Sequence, residues 1–166
     1  DLAISAARGQ PTDFYWGRGE GTYIWDSYAA GIAPHDAAMA AADVDLDGDV
    51  DLVTGNRIYA NTAAQGTWVS VGVVGNVAAN RDAIGATLRA FVGETELIRV
   101  ISGGSGQQDS LRQHIGLGEA SAVDRFEVDY PGGGTVSFPG PFAAGQRWWL
   151  FEDGTTEKGW APPTDR

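Results

Sequence analysis

Five aspartates fall within nine residues, at Asp43, Asp45, Asp47, Asp49 and Asp51, and Gly48 stands among them. Carboxylates crowded in this way repel, so the segment AADVDLDGDVDLV must either splay into solvent or gather around a cation. Its D-x-D-x-D-G-D-x-D spacing is the one by which a short loop folds several hard oxygen ligands around a single calcium ion. Alternation lets every second side chain turn inward while Val44 and Leu46 turn away, and Gly48 supplies the positive φ at which the loop reverses. Asp43, Asp45, Asp47 and Asp51 are expected to ligate through their carboxylates, and Asp49, at the seventh loop position, through its backbone carbonyl. Ca2+ is therefore the expected cofactor. Mg2+ suits such a loop less well, because it keeps its waters and a rigid octahedron. The alternative is a solvated acidic hairpin, which requires neither this spacing nor the glycine.

The residues after the loop decide its setting. An EF-hand needs a bidentate Glu at the twelfth position and a helix on each side, whereas the twelfth residue here is Thr54. The following DLVTGNRIY is β-branched and interrupted by Gly55, which predicts a strand leaving the loop. The aspartates are thus expected in a β-hairpin.

A chain of 166 residues has room for one or two small domains, and 43% hydrophobic content with six tryptophans can supply real cores. The net charge of −11 argues against nucleic acid or an anionic membrane as partner. With no cysteine there can be no disulfide framework and no thiolate metal site. No apolar run reaches membrane-spanning length, so no membrane insertion is expected, and nothing at the N-terminus has the form of a signal peptide. In a secreted protein, the signal is expected to have been removed.

An internal repeat is visible. Asp1 opens DLAIS, followed by FYWGRGEGTYIW; Asp51 opens DLVTG, followed by IYANTAAQGTWV, the same order with a shorter connection. In that register Asp1 takes the last ligand position of a loop, and the chain is expected to begin in mid-repeat. Repeats that each supply a few strands build propellers or solenoids. From about Gly66 the pattern becomes a succession of short strands at 68–74, 86–92, 97–101, 111–117, 125–130, 135–138 and 147–151, punctuated by Gly and Pro. Strands at this spacing predict a small β-sandwich or partly open barrel, with little place for helix. The expected fold class is all-β: partial propeller-like blades over 1–65 carrying the calcium hairpin, a β-domain over 66–153, and an extended or mobile surface tail over 154–166.

The segment AAMAAADVDLDGDVDLVTGNRIYANT resembles the FG-GAP or VCBS repeat, the calcium-binding blade of integrin-like β-propellers. The second part resembles the ASPIC/UnbV domain of the cartilage acidic protein-like family, through Asn80-Arg81-Asp82-Ala83-Ile84-Gly85-Ala86, Ser102-Gly103-Gly104-Ser105-Gly106-Gln107, His114-Ile115-Gly116-Leu117-Gly118 and Val128-Asp129-Tyr130-Pro131-Gly132-Gly133. The resemblance implies a secreted, extracellular or periplasmic protein that calcium stabilises. It also implies adhesion or protein–protein recognition with a protein or glycan partner, not a reaction. Two alternatives stand beside this: a structural subunit bound to other chains of a larger assembly or filament, and an accessory domain of a secreted enzyme.

The remaining polar residues read as structural. Ser105 lies in a glycine-rich loop, but Gln107 stands where G-x-S-x-G needs its second glycine, and no P-loop lysine is present. His35 and His114 are far apart and lack the i, i+4 partner of a helical zinc site. His114 is expected as a satisfied polar group at a sheet edge. Asn80, Arg81 and Asp82 are expected to cap a turn, with Asp82 accepting backbone N–H groups and Arg81 reaching a carboxylate. Trp148 and Trp149 should point to opposite faces of one strand, one into the core and the other exposed or in an interface.

Overall fold

The computed structural model describes residues 2–4, 13–18, 21–26, 31, 39–54, 57–62, 66–104 and 110–160. The chain forms two compact units, Asp1–Ala64 and Gln65–Arg166. All regular structure among the described residues is β.

The first unit contains β1 (Leu2–Ile4), β2 (Asp13–Gly17) and β3 (Tyr23–Trp25), an antiparallel meander in the order β1-β2-β3. Gly21, at φ +72°, turns the chain between β2 and β3, and Asp13 Oδ1 accepts the Trp25 indole N–H at 2.7 Å. A second sheet follows, made of β4 (Met39–Ala42), β5 (Asp51–Thr54) and β6 (Ile58–Tyr59). Ala42 pairs with Asp51 in antiparallel register, so the aspartate loop is the connection of a β-hairpin, as the strand reading of DLVTG requires. The two copies of the repeat part company after this point. TYIW of the first copy gives β3 beside β2, whereas its counterpart GTWV opens a strand of the second unit.

The second unit carries β7 (Thr67–Val74), β8 (Thr87–Val92), β9 (Thr95–Val100), β10 (Gln113–Gly118), β11 (Ala122–Tyr130), β12 (Gly134–Ala143), β13 (Gln146–Phe151) and β14 (Thr156–Lys158). Every run marked as a strand in the sequence is one, with ends shifted by a few residues. The expected short run at 135–138 extends to Ala143 through Pro139 and Pro141. Proline is tolerated there because β12 is an edge strand and its missing N–H breaks no central ladder.

These strands make two four-stranded sheets, β10-β7-β13-β14 and β12-β11-β8-β9. The pairing of β7 with β13 is parallel and joins residues that the sequence separates widely. Alternate positions of both sheets, among them Val69, Val71, Leu88, Ile115, Phe126, Val128, Phe138 and Leu150, meet in one apolar core. The architecture is several small sheets. Among the described residues, none of them closes into a propeller blade or a barrel.

Two expectations need correction. The tail was expected to be extended surface chain from 154, but Thr156–Lys158 add β14 to the sheet edge, and Phe151 N–H donates to the Thr155 carbonyl at 3.0 Å to close the connecting turn. Residues 161–166 lie outside the described ones. Trp148 and Trp149 do point to opposite faces, yet neither is exposed. Trp148 packs edge-on against Phe142 beside the core, and Trp149 is buried on the other face against Gly72, beneath Arg112.

Candidate metal site and a buried carboxylate cradle

The aspartate loop leaves β4 at Ala42 and returns in β5 at Asp51. Two residues carry positive φ, Leu46 at +66° and Gly48 at +104°. Val44 and Leu46 are 44% and 53% exposed, so the apolar side chains of the loop do face outward. Asp51 is the anchor. It is 2% exposed, its Oδ2 accepts the Val44 N–H at 2.8 Å, and its Oδ1 accepts the Asn61 N–H at 2.8 Å. Inside the loop, Asp45 Oδ1 accepts the Asp47 N–H at 3.3 Å and Asp47 Oδ1 accepts the Asp49 N–H at 2.9 Å. Short carboxylates that bond two residues ahead form local turns, which is why this sequence folds back on itself.

Carboxylate oxygens of Asp43, Asp45 and Asp51 lie within 4.8 Å of one another, close enough to share one ion. The carboxylates of Asp47 and Asp49 stand outside that group. Loss of solvation raises the Asp49 pKa above the ordinary aspartate value, and the negative charges of Asp47, Asp43, Asp51 and Asp45 raise it further. The donors are all hard anionic oxygens, which fits a divalent cation of the calcium type and would relieve that repulsion. Valine in place of Gly48 must adopt φ +104°, a conformation strained for any β-branched residue. Gly48→Val is expected to cost about 1–2 kcal/mol of stability in the first unit. Thermal melts of the full chain with and without calcium would measure that loss.

The other residues singled out in the sequence divide cleanly. Asp1, His35 and the Ser105–Gln107 segment lie outside the described residues. His114 sits on the edge strand β10, as expected, with its ring stacked on Trp68 at a centroid distance of 5.6 Å. The turn before β8 is held by Asn80, not Asp82: Asn80 Oδ1 accepts the Ile84 N–H at 2.9 Å and its amide donates to the Ile84 carbonyl at 3.0 Å. An amide both donates and accepts, so Asn80 can close this turn from both sides, which a carboxylate cannot. Among the described residues, Arg81 reaches no carboxylate. Both Arg81 and Asp82 border a cavity on the sheet of β7.

Sequence reasoning passed over Glu152, at the end of β13. Its carboxylate is 6% exposed and accepts N–H groups from Asn76 at 3.1 Å, Val77 at 2.7 Å, and Ala78 and Ala79 at 3.0 Å. Consecutive backbone donors turned toward one anion form a nest. Burial pulls the Glu152 pKa upward, but the four N–H bonds together outweigh it and hold the pKa below the ordinary value. Gly133 leaves room for this carboxylate, since a Cβ there would stand 2.2 Å from Glu152 Oε1. Beside it Asn76 and Asp153 exchange bonds of 2.9 and 3.0 Å. The one sequence signal available is an acid that follows directly on the apolar run WWLF.

The cradle joins the 76–79 loop, the turn after β11 and the end of β13, and all of these fall within residues 75–157, which match a family model described as ASPIC and UnbV. The chain belongs to the ASPIC and UnbV family. The ASPIC and UnbV match contains all four motifs read from the sequence and does not extend to the aspartate loop. The ASPIC and UnbV domain is a non-catalytic structural domain, so the chain is not read as an enzyme. Neither the curated proteins nor the solved structures gave a match. Among the described residues, no helix is long and apolar enough to cross a membrane.

Proposed function

We propose that residues 1–65 form an FG-GAP/VCBS-type calcium-binding region ahead of an ASPIC/UnbV domain that begins at about residue 66 and takes in β14. In this reading the whole acts without catalysis in extracellular or periplasmic adhesion and protein–protein recognition. The observation that carries it is the convergence of Asp43, Asp45 and Asp51 within 4.8 Å on a loop closed by Asp51. Asp47 would join them through its carboxylate and Asp49 through its backbone carbonyl once a calcium ion draws the loop in. The partner is a protein or a glycan. Trp16, Tyr23 and Trp25 are exposed on β2 and β3, and such rings favour contact with either.

Calcium that binds only the folded loop stabilises it by mass action, by about 2.7 kcal/mol at a hundredfold excess over the dissociation constant. Calorimetric titration of the full chain with calcium should give one saturable event, and magnesium a much weaker one. Melting should move upward with calcium and return on chelation. A flat titration together with a melting temperature indifferent to chelator would remove the reading.

A further inference from the structure

The outer face of the β10-β7-β13-β14 sheet is unlike its inner one. Parallel pairing sets Trp149 beside Gly72 and Phe151 beside Val74, on the side away from the core positions Val71 and Val73. Only glycine at 72 leaves space for the indole, because a Cβ would stand 2.2 Å from the Trp149 ring. A cavity of about 380 Å³ opens here, with Val74, Leu111, Trp149 and Phe151 as its apolar lining and Arg81, Asp82 and Arg112 as its charged groups.

Arg112 is held in place by neutral groups. Its guanidinium carbon lies 4.3 Å from the centroid of the Trp149 ring. Its Nε donates to Ser70 Oγ at 3.2 Å, and its Nη2 donates to the Ser70 and Trp148 carbonyls at 3.2 and 3.4 Å. Nη1 is buried with no acceptor, and so is Nε1 of Trp149. The chain has 22 acidic residues against 11 basic ones, yet no carboxylate pairs with Arg112 among the described residues. Burial, with the nearby charge of Arg147, pushes the Arg112 pKa down to about 10. A guanidinium removed from water without a countercharge is costly, and a buried donor without an acceptor adds to that cost.

We propose that this cavity binds the carboxylate of a small organic monoanion, whose apolar body lies against Val74, Trp149 and Phe151. The volume suits a molecule of one ring or a short branched chain. Among the described lining residues, two arginines and one aspartate leave a single net positive charge, which one carboxylate balances and a dianion exceeds. Arg112 is the recognition residue. Its guanidinium borders the cavity and offers the charge-assisted hydrogen bond that fixes an oxyanion, and Trp149 and Phe151 give a ring an apolar wall to lie against.

The test uses the 15N-labelled full chain, with the Trp149 indole N–H signal as reporter. The probes are benzoate, its neutral counterpart benzyl alcohol, and the dianion phenyl phosphate. Benzoate should bind saturably and move the indole signal, with benzyl alcohol weaker by roughly tenfold or more. Phenyl phosphate should bind less tightly than benzoate. Arg112→Lys should weaken benzoate roughly tenfold. Because Arg112 also braces the sheet, the exposed rim gives a second reading: Arg81→Gln should weaken benzoate and Asp82→Asn tighten it, each by about two- to fivefold. The inference fails if no probe shifts the indole, if benzyl alcohol binds as well as benzoate, or if phenyl phosphate binds more tightly. Indifference of benzoate to all three substitutions in folded variants would overturn it equally.

Discussion

Replacing Asp51 with alanine is expected to destabilise the first unit in the absence of calcium and to abolish whatever stabilisation calcium adds. Both Asp51 oxygens accept backbone N–H groups, from Val44 at the entrance of the loop and from Asn61 beyond β6. Each donor left without an acceptor costs about 1–3 kcal/mol, so the calcium-free protein should lose roughly 2–6 kcal/mol. The same substitution removes one of the three carboxylates that converge in the loop. Asp47→Ala separates the two effects, because among the described residues the Asp47 carboxylate accepts only the exposed Asp49 N–H. Its calcium-free melting temperature should move little, while its calcium affinity falls by roughly tenfold through loss of a ligand. Scanning calorimetry of both variants, in saturating calcium and in excess chelator, tests the pair. An Asp51→Ala protein that still gained the full calcium shift would show that the ion, if bound at all, sits elsewhere.

Glu152→Gln should have the largest effect on the second unit. Glutamine is nearly the same size, but its NH2 group must face backbone donors that now meet a carboxylate oxygen. The four N–H groups of 76–79 lie in a part-buried turn and would lose their charged acceptor, and a fall of roughly 10 °C in melting temperature is expected. Gly133→Ala should act in the same direction by driving a Cβ into Glu152 Oε1, and the double variant should lose much less than the sum. The acid dependence has a definite sign. The folded-state pKa of Glu152 lies below its ordinary value of 4.5, so the stabilisation is fully present above that value. It is lost as pH falls through the depressed folded-state pKa, when the carboxylate takes up its proton and releases the nest. Melting temperatures of the wild type should therefore fall steadily below about pH 4.5, and those of Glu152→Gln should show a shallower fall. Parallel curves would remove Glu152 as the source.

Both variants act on features of very different visibility in the sequence. The aspartate loop could be read directly because its chemistry is local: alternating carboxylates, a glycine, and the hydrogen bonds from each carboxylate to the N–H two residues on. Its hairpin setting was equally legible from Thr54 at the twelfth position and the β-branched run beside it. What spacing could not supply was the division of labour. It assigned four carboxylates and one backbone carbonyl to the ion alone, and did not show that the Asp43, Asp45 and Asp51 carboxylates converge or that Asp51 also clasps Asn61, ten residues away. In the second unit, alternation such as Phe126, Val128 and Tyr130 marked the strands, and Gly-Pro punctuation marked their ends. It did not show that β7 would pair in parallel with β13, or that GTWV would leave the repeat and join that sheet.

Patterns repeating every two residues, and ligand spacings within one turn, are imposed by backbone geometry and electrostatics that act over a few ångströms along the chain. The sequence by itself therefore determined that the described residues fold as β-structure, the place of their strands, and one acidic loop whose carboxylates could hold a divalent cation. The Glu152 nest, the space Gly72 and Gly133 leave for Trp149 and a carboxylate, and the isolation of Arg112 were decided only by the tertiary structure. Each depends on groups brought together from well-separated parts of the chain, up to 77 residues apart, where no local preference acts and only the packing of the two sheets selects the neighbours.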